Sequence, residues 1–263
     1  MSIKTIIFVD LEPSKMPEYC GNTTKMTELS LLAVKRKHLL DVRSGVNDDQ
    51  DQQPRVQQKL VMCFNPIEPI SMNTSTGLSN SLLKDESKFN AQSFDVLNNF
   101  IERLEKPVCL IAQNGFDFDF PIIQKELSSI NACLSDDVMC TDFLYALYDI
   151  LEGKQHPNSA SVAGPISFKA LKRTYFFDNN PKPESHRLGY IYKRVIGCER
   201  SIEHRAEVDC IDLLKICIKK KEEFVNWVDR NHCRFSEVPR LIPKETDTLS
   251  DNFGPECKKR KLV

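Results

Sequence analysis

The sequence predicts an α/β fold in which a mixed sheet is flanked by helices. Two observations lead to this prediction: three strand-like segments come first along the chain, and later strand-like segments alternate with segments of helical period. An antiparallel three-strand meander followed by strands separated by helices gives a sheet with antiparallel and parallel neighbours. With 263 residues the chain can bury one substantial core, so one large domain is expected.

The predicted meander consists of the first three strands. The first is the apolar run at residues 6–9, which ends on Asp10 and Glu12; the second, "ELSLLAVKR", covers 28–36, and the third, "QKLVMCFNP", covers 58–66. The stretch "SGVNDDQDQQP" between the last two is polar and predicts a loop.

The second half of the chain alternates between helices and strands. A continuous apolar run at 107–115 predicts a strand that is buried on both faces. Helices are predicted at 91–106, 120–130, 185–197 and 203–229, and a short strand followed by a helix is predicted within 137–152. The segment 153–167 is rich in Pro, Gly, Ser and Asn, which predicts a mobile loop.

Composition excludes several classes of protein. With 41% hydrophobic residues, 28% charged residues and a net charge of -1, the chain is not a uniformly basic nucleic-acid-binding protein. Ten cysteines without a C-x-x-C pair argue against a zinc ribbon or a thioredoxin-type site and indicate reduced, mostly buried thiols. There is no signal-peptide pattern and no apolar run of membrane-spanning length, so a soluble intracellular protein is expected.

Acidic residues follow three of the predicted elements. Asp10 and Glu12 are two positions apart in a strand, so their side chains share one face and repel each other. A buried pair of this kind is tolerated when a cation such as Mg2+ or Mn2+ lies between the carboxylates, although a lone Asp-x-Glu is more typical of an ordinary strand end. Asp119 precedes a helix, and Asp209 lies in the first turn of the long helix.

Four carboxylates at element ends would suit a pair of divalent ions, which can hold both the attacking and the leaving oxygen of a phosphodiester displacement. His204 comes five residues before Asp209, at or just before the start of the helix. An imidazole in this position could take a proton from the attacking water.

Three of these segments carry a resemblance to a known family. "FVDLE", "LIAQNGFDFDFP" and "HRAEVD" resemble the three motifs of the DEDDh 3′→5′ exonucleases, whose fold is ribonuclease H-like. More narrowly, "KMTELSLLAVKR", "LGYIYKRVIG" and "FVNWVDRNHCRF" are similar to the connecting segments of the three-prime repair exonuclease (TREX) family. The resemblance covers about residues 4 to 240.

The resemblance implies Asp10, Glu12, Asp119 and Asp209 as ligands of two Mg2+ ions, which Mn2+ may replace, and His204 as the general base. It also implies a substrate-binding set, which holds the last nucleotide and the scissile phosphate: Glu12, Pro13, Met16, Phe118 and Asp209.

Four positions depart from the family pattern. Met16 stands in place of the usual Leu wedge and Phe118 in place of a Tyr, which removes a hydroxyl near the phosphate. Gln113 replaces a His, and Asp117 replaces an Arg that would supply a basic contact to DNA. None of the five catalytic positions is affected.

The resemblance therefore implies a metal-dependent 3′→5′ exodeoxyribonuclease that releases nucleoside 5′-monophosphates from single-stranded or frayed DNA ends. An exoribonuclease of the same fold and a non-catalytic nucleic-acid-binding module are the alternatives; the second would be expected to lack an acid or the His, and all five are present. The family also implies a homodimer, and "ELSLLAV" is expected to offer an apolar sheet edge that needs to be covered.

The C-terminal segment has a different composition. We expect the exonuclease domain to span 1–240, followed by a polar tail at 241–263. The tail ends in a basic cluster, Lys258, Lys259, Arg260 and Lys261, which is typical either of a nuclear import signal or of a solvated terminus. A nuclear or cytoplasmic protein without a membrane anchor is therefore expected.

Overall fold

The computed structural model describes residues 2–20, 22–42, 53–71, 76–153, 164–173, 186–201 and 204–242. The strands in this part of the chain are β1 (Thr5–Pro13), β2 (Met26–Lys35), β3 (Gln58–Cys63), β4 (Val108–Ala112), β5 (Val138–Asp142) and β6 (Cys233–Arg234). They form a six-stranded sheet in the order β3-β2-β1-β4-β5-β6. Strand β1 is antiparallel to β2, and β2 to β3, whereas the pairs β1–β4 and β4–β5 are parallel. The meander and the parallel strands predicted from the sequence are confirmed.

Helices pack against this sheet, as predicted. They are α1 (Arg36–Leu40), α2 (Asn80–Leu83), α3 (Ala91–Glu102), α4 (Asp119–Ser129), α5 (Phe143–Leu151), α6 (Phe168–Leu171), α7 (Leu188–Ile196), α8 (Ala206–Lys219) and α9 (Lys221–Val228). The four-residue helices α2 and α6, the five-residue α1 and the two-residue β6 were not predicted, because elements this short carry too few apolar positions to show a period.

Strand β1 is one of the two central strands of the sheet, and its length positions the acids. Its pairing with β4 stops at Phe8, whereas its pairing with β2 continues to Pro13. The last five residues of β1 therefore extend past its paired region with β4. A register shift between Glu12 and Pro13 ends the ladder, as bulges often do beside active sites.

Helix α8 lies across β1 and β2 and is fixed there by its buried face. Its Cys210 thiol donates to the carbonyl oxygens of Phe8 at 3.5 Å and Ser30 at 3.6 Å. The Phe8 ring packs against Phe143 of α5 and Phe224 of α9, each with ring centroids 6.4 Å away. The start of α8 is thereby held over the end of β1.

The prediction of one long helix over 203–229 is wrong in its continuity. The helical path breaks at Lys220, which adopts φ -129° and ψ 29°, and a second helix, α9, follows. Phe224 and Trp227 of α9 are buried. Of the four positions that the helical period places towards the core, Leu214, Ile218 and Phe224 are buried and Ile211 is partly buried.

The prediction that "ELSLLAV" forms a sheet edge is also wrong. These residues lie in β2, which is paired with β1 on one side and β3 on the other. The outer strand at this end of the described sheet is β3. Burial of β2 on both sides explains its apolar composition, which is typical of an interior strand.

Some predictions fall outside the described residues. These are most of the loop at 153–167, of which 154–163 is not described, and the tail from 243 onward with its basic cluster. Among the cysteines that the structure describes, all are free thiols and five of them are buried. In the described part of the chain, no helix is both long and apolar enough to cross a membrane.

Candidate active site

Asp10 and Glu12 lie on the part of β1 that extends past β4. In the ladder with β2 they stand opposite Ser30 and Glu28, respectively. Because alternate residues of a strand share a face, both carboxylates project on the face that carries Phe8 and α8. Glu12 is 5% exposed, so its carboxylate is held away from bulk water.

Helix α8 adds a third carboxylate. Asp209 lies in its first turn and is 8% exposed. One ligand oxygen from each of Asp10, Glu12 and Asp209 lies within 4.8 Å of the other two. Three carboxylates so close together offer only hard oxygen donors, which fits Mg2+ or Mn2+ and disfavours softer metals.

Crowding and burial change the acidity of this cluster. Burial raises the pKa of Asp10 well above its ordinary value, and the nearby charges of Asp119 and Glu12 raise it further. Burial also raises the pKa of Glu12 to about 8, reinforced by the charges of Glu28 and Asp119. Without a cation, Asp10 and Glu12 therefore favour their protonated forms, as expected for neighbouring buried acids.

Asp119 is the first residue of α4 and sits beside this cluster. Its carboxylate is 1% exposed and accepts a hydrogen bond from the Leu11 N–H at 3.2 Å. Burial raises its pKa to about 8, although hydrogen bonds from backbone N–H groups oppose the rise. Asp119 is not one of the three acids whose ligand oxygens lie within 4.8 Å of one another. Its charge nevertheless raises the pKa of both Asp10 and Glu12, so it is their neighbour.

A cavity of about 940 Å³ opens beside Asp209. Four residues predicted as catalytic or substrate-binding line it: Met16, Phe118, His204 and Asp209. Met16 precedes a 3₁₀ turn at Pro17–Tyr19, and Phe118 is the residue just before α4. Pro13 is buried at the end of β1 and is not among the residues that line the cavity.

His204 lies two residues before α8, on the rim of the cavity. Its side chain is exposed and its backbone has φ 59°, in the left-handed region that few non-glycine residues adopt. The chain turns sharply there and enters α8, which places an imidazole and the Asp209 carboxylate at one cavity wall. A strained backbone at such a place is typical of a functional site.

Comparison with known proteins gives the family. Over 253 residues the chain is 32% identical to three-prime repair exonuclease 1 of Bos taurus, a match that covers 94% of this chain and 73% of that protein. It is 30% identical to three prime repair exonuclease 2 of Mus musculus, with coverage of 94% and 96%. The chain belongs to the three-prime repair exonuclease family. It is accordingly a nuclease, an enzyme that hydrolyses phosphodiester bonds.

The fold agrees with this family. The chain is similar to Escherichia coli exonuclease I in complex with a dA16 oligonucleotide, with a TM-score of 0.54 and 14% identity; the match covers 84% of this chain and 41% of that chain. The predicted ribonuclease H-like mixed sheet flanked by helices is thereby confirmed. No family profile matches the chain.

Two charged residues that the sequence reasoning missed contact the site of this three-prime repair exonuclease. Glu28 on β2 accepts a hydrogen bond from the Ala206 N–H at 3.1 Å, which caps the start of α8. Arg200 lies in the connection from α7 to α8. Its Nε donates to Asp212 Oδ2 at 2.7 Å, and its Nη2 donates to Asp209. Both contacts join distant segments or irregular chain, so no local pattern indicates them.

The positions that depart from the family pattern are engaged in contacts of their own. Asp117 pairs with Lys172, and the Gln113 side chain donates to the His186 carbonyl at 2.8 Å. Gln113 also lines the cavity. The acid at position 117 is therefore balanced by a cation from the segment that follows α6.

Proposed function

We propose that this three-prime repair exonuclease is a metal-dependent 3′→5′ exodeoxyribonuclease that releases nucleoside 5′-monophosphates from single-stranded or frayed DNA ends. The observation that carries the proposal is the convergence of Asp10, Glu12 and Asp209 within 4.8 Å, with Asp209 and His204 lining the same cavity. Support for DNA as the substrate comes from exonuclease I, which has a similar fold and is solved with a DNA oligonucleotide.

Asp10, Glu12 and Asp209 would hold two divalent ions together with Asp119, which lies beside them. We propose Mg2+ as the natural ion, with Mn2+ able to replace it, because all the donors are carboxylate oxygens. When bound, such ions polarise the phosphodiester and make water a better nucleophile at neutral pH. They would also keep Asp10, Glu12 and Asp119 ionised, which burial alone disfavours.

His204 would act as the general base. It is exposed on the cavity wall, so its ring can approach the attacking water and then pass the proton to solvent. The left-handed backbone at His204 and the Glu28 cap on the Ala206 N–H fix where the chain enters α8. The base and the Asp209 ligand are thereby tied to the same helix start.

Met16 and Phe118 would hold the terminal nucleotide from the cavity wall. Glu12, Pro13 and Asp209 would complete the substrate-binding set. The Met16 thioether would press on the base as a pliable apolar wedge. Phe118 would offer an aromatic ring near the sugar and phosphate without donating a hydrogen bond. Substrate positioning at this point therefore depends on apolar contact.

End-labelled DNA digestion tests the proposal. Asp10→Asn and Asp209→Asn are expected to abolish activity while the fold stays intact. Asp10→Asn is also expected to be slightly more stable, because it removes one acid from a repelling cluster. His204→Ala is expected to reduce the rate by ~10²–10⁴-fold and to leave Mn2+ binding unchanged. Glu207→Gln is the matched control: it neutralises an acid of the same helix turn that is exposed and pairs with Lys59.

Two results together would refute this function: near-normal activity of Asp10→Asn and digestion that persists in excess EDTA. If His204→Ala is the only one of these variants that stays active, the assignment of His204 as the base is wrong but the metal site is retained. A matched RNA oligomer in the same assay distinguishes the DNA enzyme from an exoribonuclease. Failure of the wild-type protein to digest either oligomer under Mg2+ would favour a non-catalytic binding module.

We also propose that the exonuclease domain spans 1–240, that the protein forms a homodimer and that residues 257–263 serve as a nuclear import signal. The longer of the two edge strands in the described sheet is β3, and we propose it as the strand that pairs. Val61 of β3 is 41% exposed, an apolar side chain that a partner would cover. The import proposal depends on the sequence of the tail, which lies outside the described residues.

A further inference from the structure

Arg200 is a buried cation in direct contact with the acids of α8. Its side chain is 5% exposed, although it lies in an irregular connection and lines the cavity. Its guanidinium donates to Asp209 on one side and to Asp212 Oδ2, at 2.7 Å, on the other. Asp209 and Asp212 are three residues apart in a helix, so they share a face and one fork spans both.

The two acids that bind Arg200 have different second roles. Asp212 is 4% exposed and lies 4.0 Å from Lys215, so it belongs to a buried ion-pair network. A ligand oxygen of Asp209 lies within 4.8 Å of ligand oxygens of Asp10 and Glu12. The positive charge of Arg200 also reaches Asp10, whose pKa it lowers while the surrounding acids raise it. Arg200 is therefore anchored by Asp212 and acts electrically on the carboxylate cluster.

We propose that Arg200 is a built-in counter-cation that occupies Asp209 in the metal-free protein and competes with divalent ions for that carboxylate. The inference rests on the metal-dependent function proposed above. The guanidinium takes one oxygen of Asp209 and keeps a full positive charge beside the place where a dication would sit. An arriving ion must share Asp209 with this charge or displace it.

The arrangement has two opposite effects. In the metal-free protein Arg200 offsets part of the repulsion among buried carboxylates, which stabilises an empty site. Towards a divalent ion the same charge is repulsive, which weakens binding. Occupancy of the cluster is thus set against a resident cation, and we expect half-occupancy at a higher concentration of free Mg2+ than the acids alone would require.

Calorimetric titration with Ca2+ tests this inference, because Ca2+ accepts the same oxygen ligands and its binding is read without activity. Arg200→Met is expected to lower the Kd for Ca2+ by about tenfold or more, since a unit charge a few Å from a dication has at least that effect. The matched control is Lys193→Met, which removes a cation from the same cavity wall where Lys193 pairs with the exposed Glu199. Its Kd is expected to stay within about twofold of wild type, because a screened, exposed pair has a small effect.

Two results would overturn the inference. An unchanged or weaker Ca2+ affinity of Arg200→Met would make Arg200 a purely structural partner of Asp212. Equal gains in Arg200→Met and Lys193→Met would indicate a general charge effect and not competition at Asp209. If the wild-type protein binds no Ca2+, and its titration is therefore the same as that of Asp209→Asn, the proposed metal site itself would be refuted.

Loss of Arg200 leaves Asp212 buried without its main partner, and the variant is liable to unfold for that reason. The double variant Arg200→Gln with Asp212→Asn removes the orphaned charge and is compared with Asp212→Asn alone, which keeps Arg200. The double variant is expected to bind Ca2+ about tenfold more tightly than the single variant, by the same charge argument. Equal affinity of these two proteins contradicts competition.

Discussion

The metal-free enzyme is expected to lose stability as the pH rises from 6 to 8. Glu12 and Asp119 each have a pKa of about 8 in the folded protein, whereas their ordinary values are 4.5 and 3.8. Between pH 6 and 8 the unfolded chain has already released both protons, while the folded chain still holds them. Because the folded state binds more protons, the free energy of unfolding falls with rising pH.

The magnitude follows from the two raised values. Over these two pH units each folded carboxyl goes from almost fully protonated to half ionised, which lowers the free energy of unfolding by about 2 kcal/mol per group. The two groups together give about 4 kcal/mol as an upper value, because their titrations interact. Asp142, the residue before α5, has a pKa of about 7 because of its burial and adds about 1 kcal/mol.

Urea unfolding in EDTA at pH 6, 7 and 8 measures this dependence. Excess Ca2+ is expected to remove the part that comes from Glu12 and Asp119 and to leave the part from Asp142, which is not in the metal cluster. Glu12→Gln is expected to remove about half of the metal-sensitive part, and the exposed Glu207→Gln none of it. A stability in EDTA that is constant or rises between pH 6 and 8 would refute the reasoning.

Two further predictions concern assembly and location. Light scattering is expected to give about twice the chain mass of 30.2 kDa. Val61→Lys on β3 is expected to shift the protein to monomer, because a charge at a sheet edge opposes pairing. Val96→Lys, at an exposed valine of α3, is the control. A wild-type monomer at micromolar concentration contradicts the dimer. Deletion of residues 257–263 is expected to lower the nuclear fraction of the tagged protein, whereas deletion of 244–250 is not; equal fractions contradict the import signal.

Much of the architecture could be predicted because its signals are local. The apolar runs of β1 and β4 and the period of α3 and α4 appear within single segments, and each was predicted at its observed place. The break at Lys220 could not be predicted, because no Gly or Pro marks it and the apolar period continues across it. The position of β2 inside the sheet depends on β3, which pairs with it across a long polar stretch.

The candidate site likewise combines residues that local sequence patterns predict with residues that only tertiary contacts reveal. The acids on β1 and α8 could be predicted to meet because strand ends and helix starts gather at one edge of an α/β sheet, and Asp10, Glu12 and Asp209 do meet. Arg200 and Glu28 could not be predicted, because their partners are fixed by tertiary packing and not by spacing. Asp119 is brought next to the cluster through the Leu11 N–H, a contact 108 residues apart along the chain.

The cap that Glu28 places on α8 bears on how this enzyme can change over evolution. The carboxylate joins residues 178 positions apart, and the buried face of α8 holds the rest of the helix on β1 and β2. The helix is therefore located mainly by the sheet. Segments between α5 and α7 can be lengthened, shortened or recharged without moving Asp209 or the residues that lead into α8, which leaves them free to diversify towards new substrates around an unchanged reaction centre.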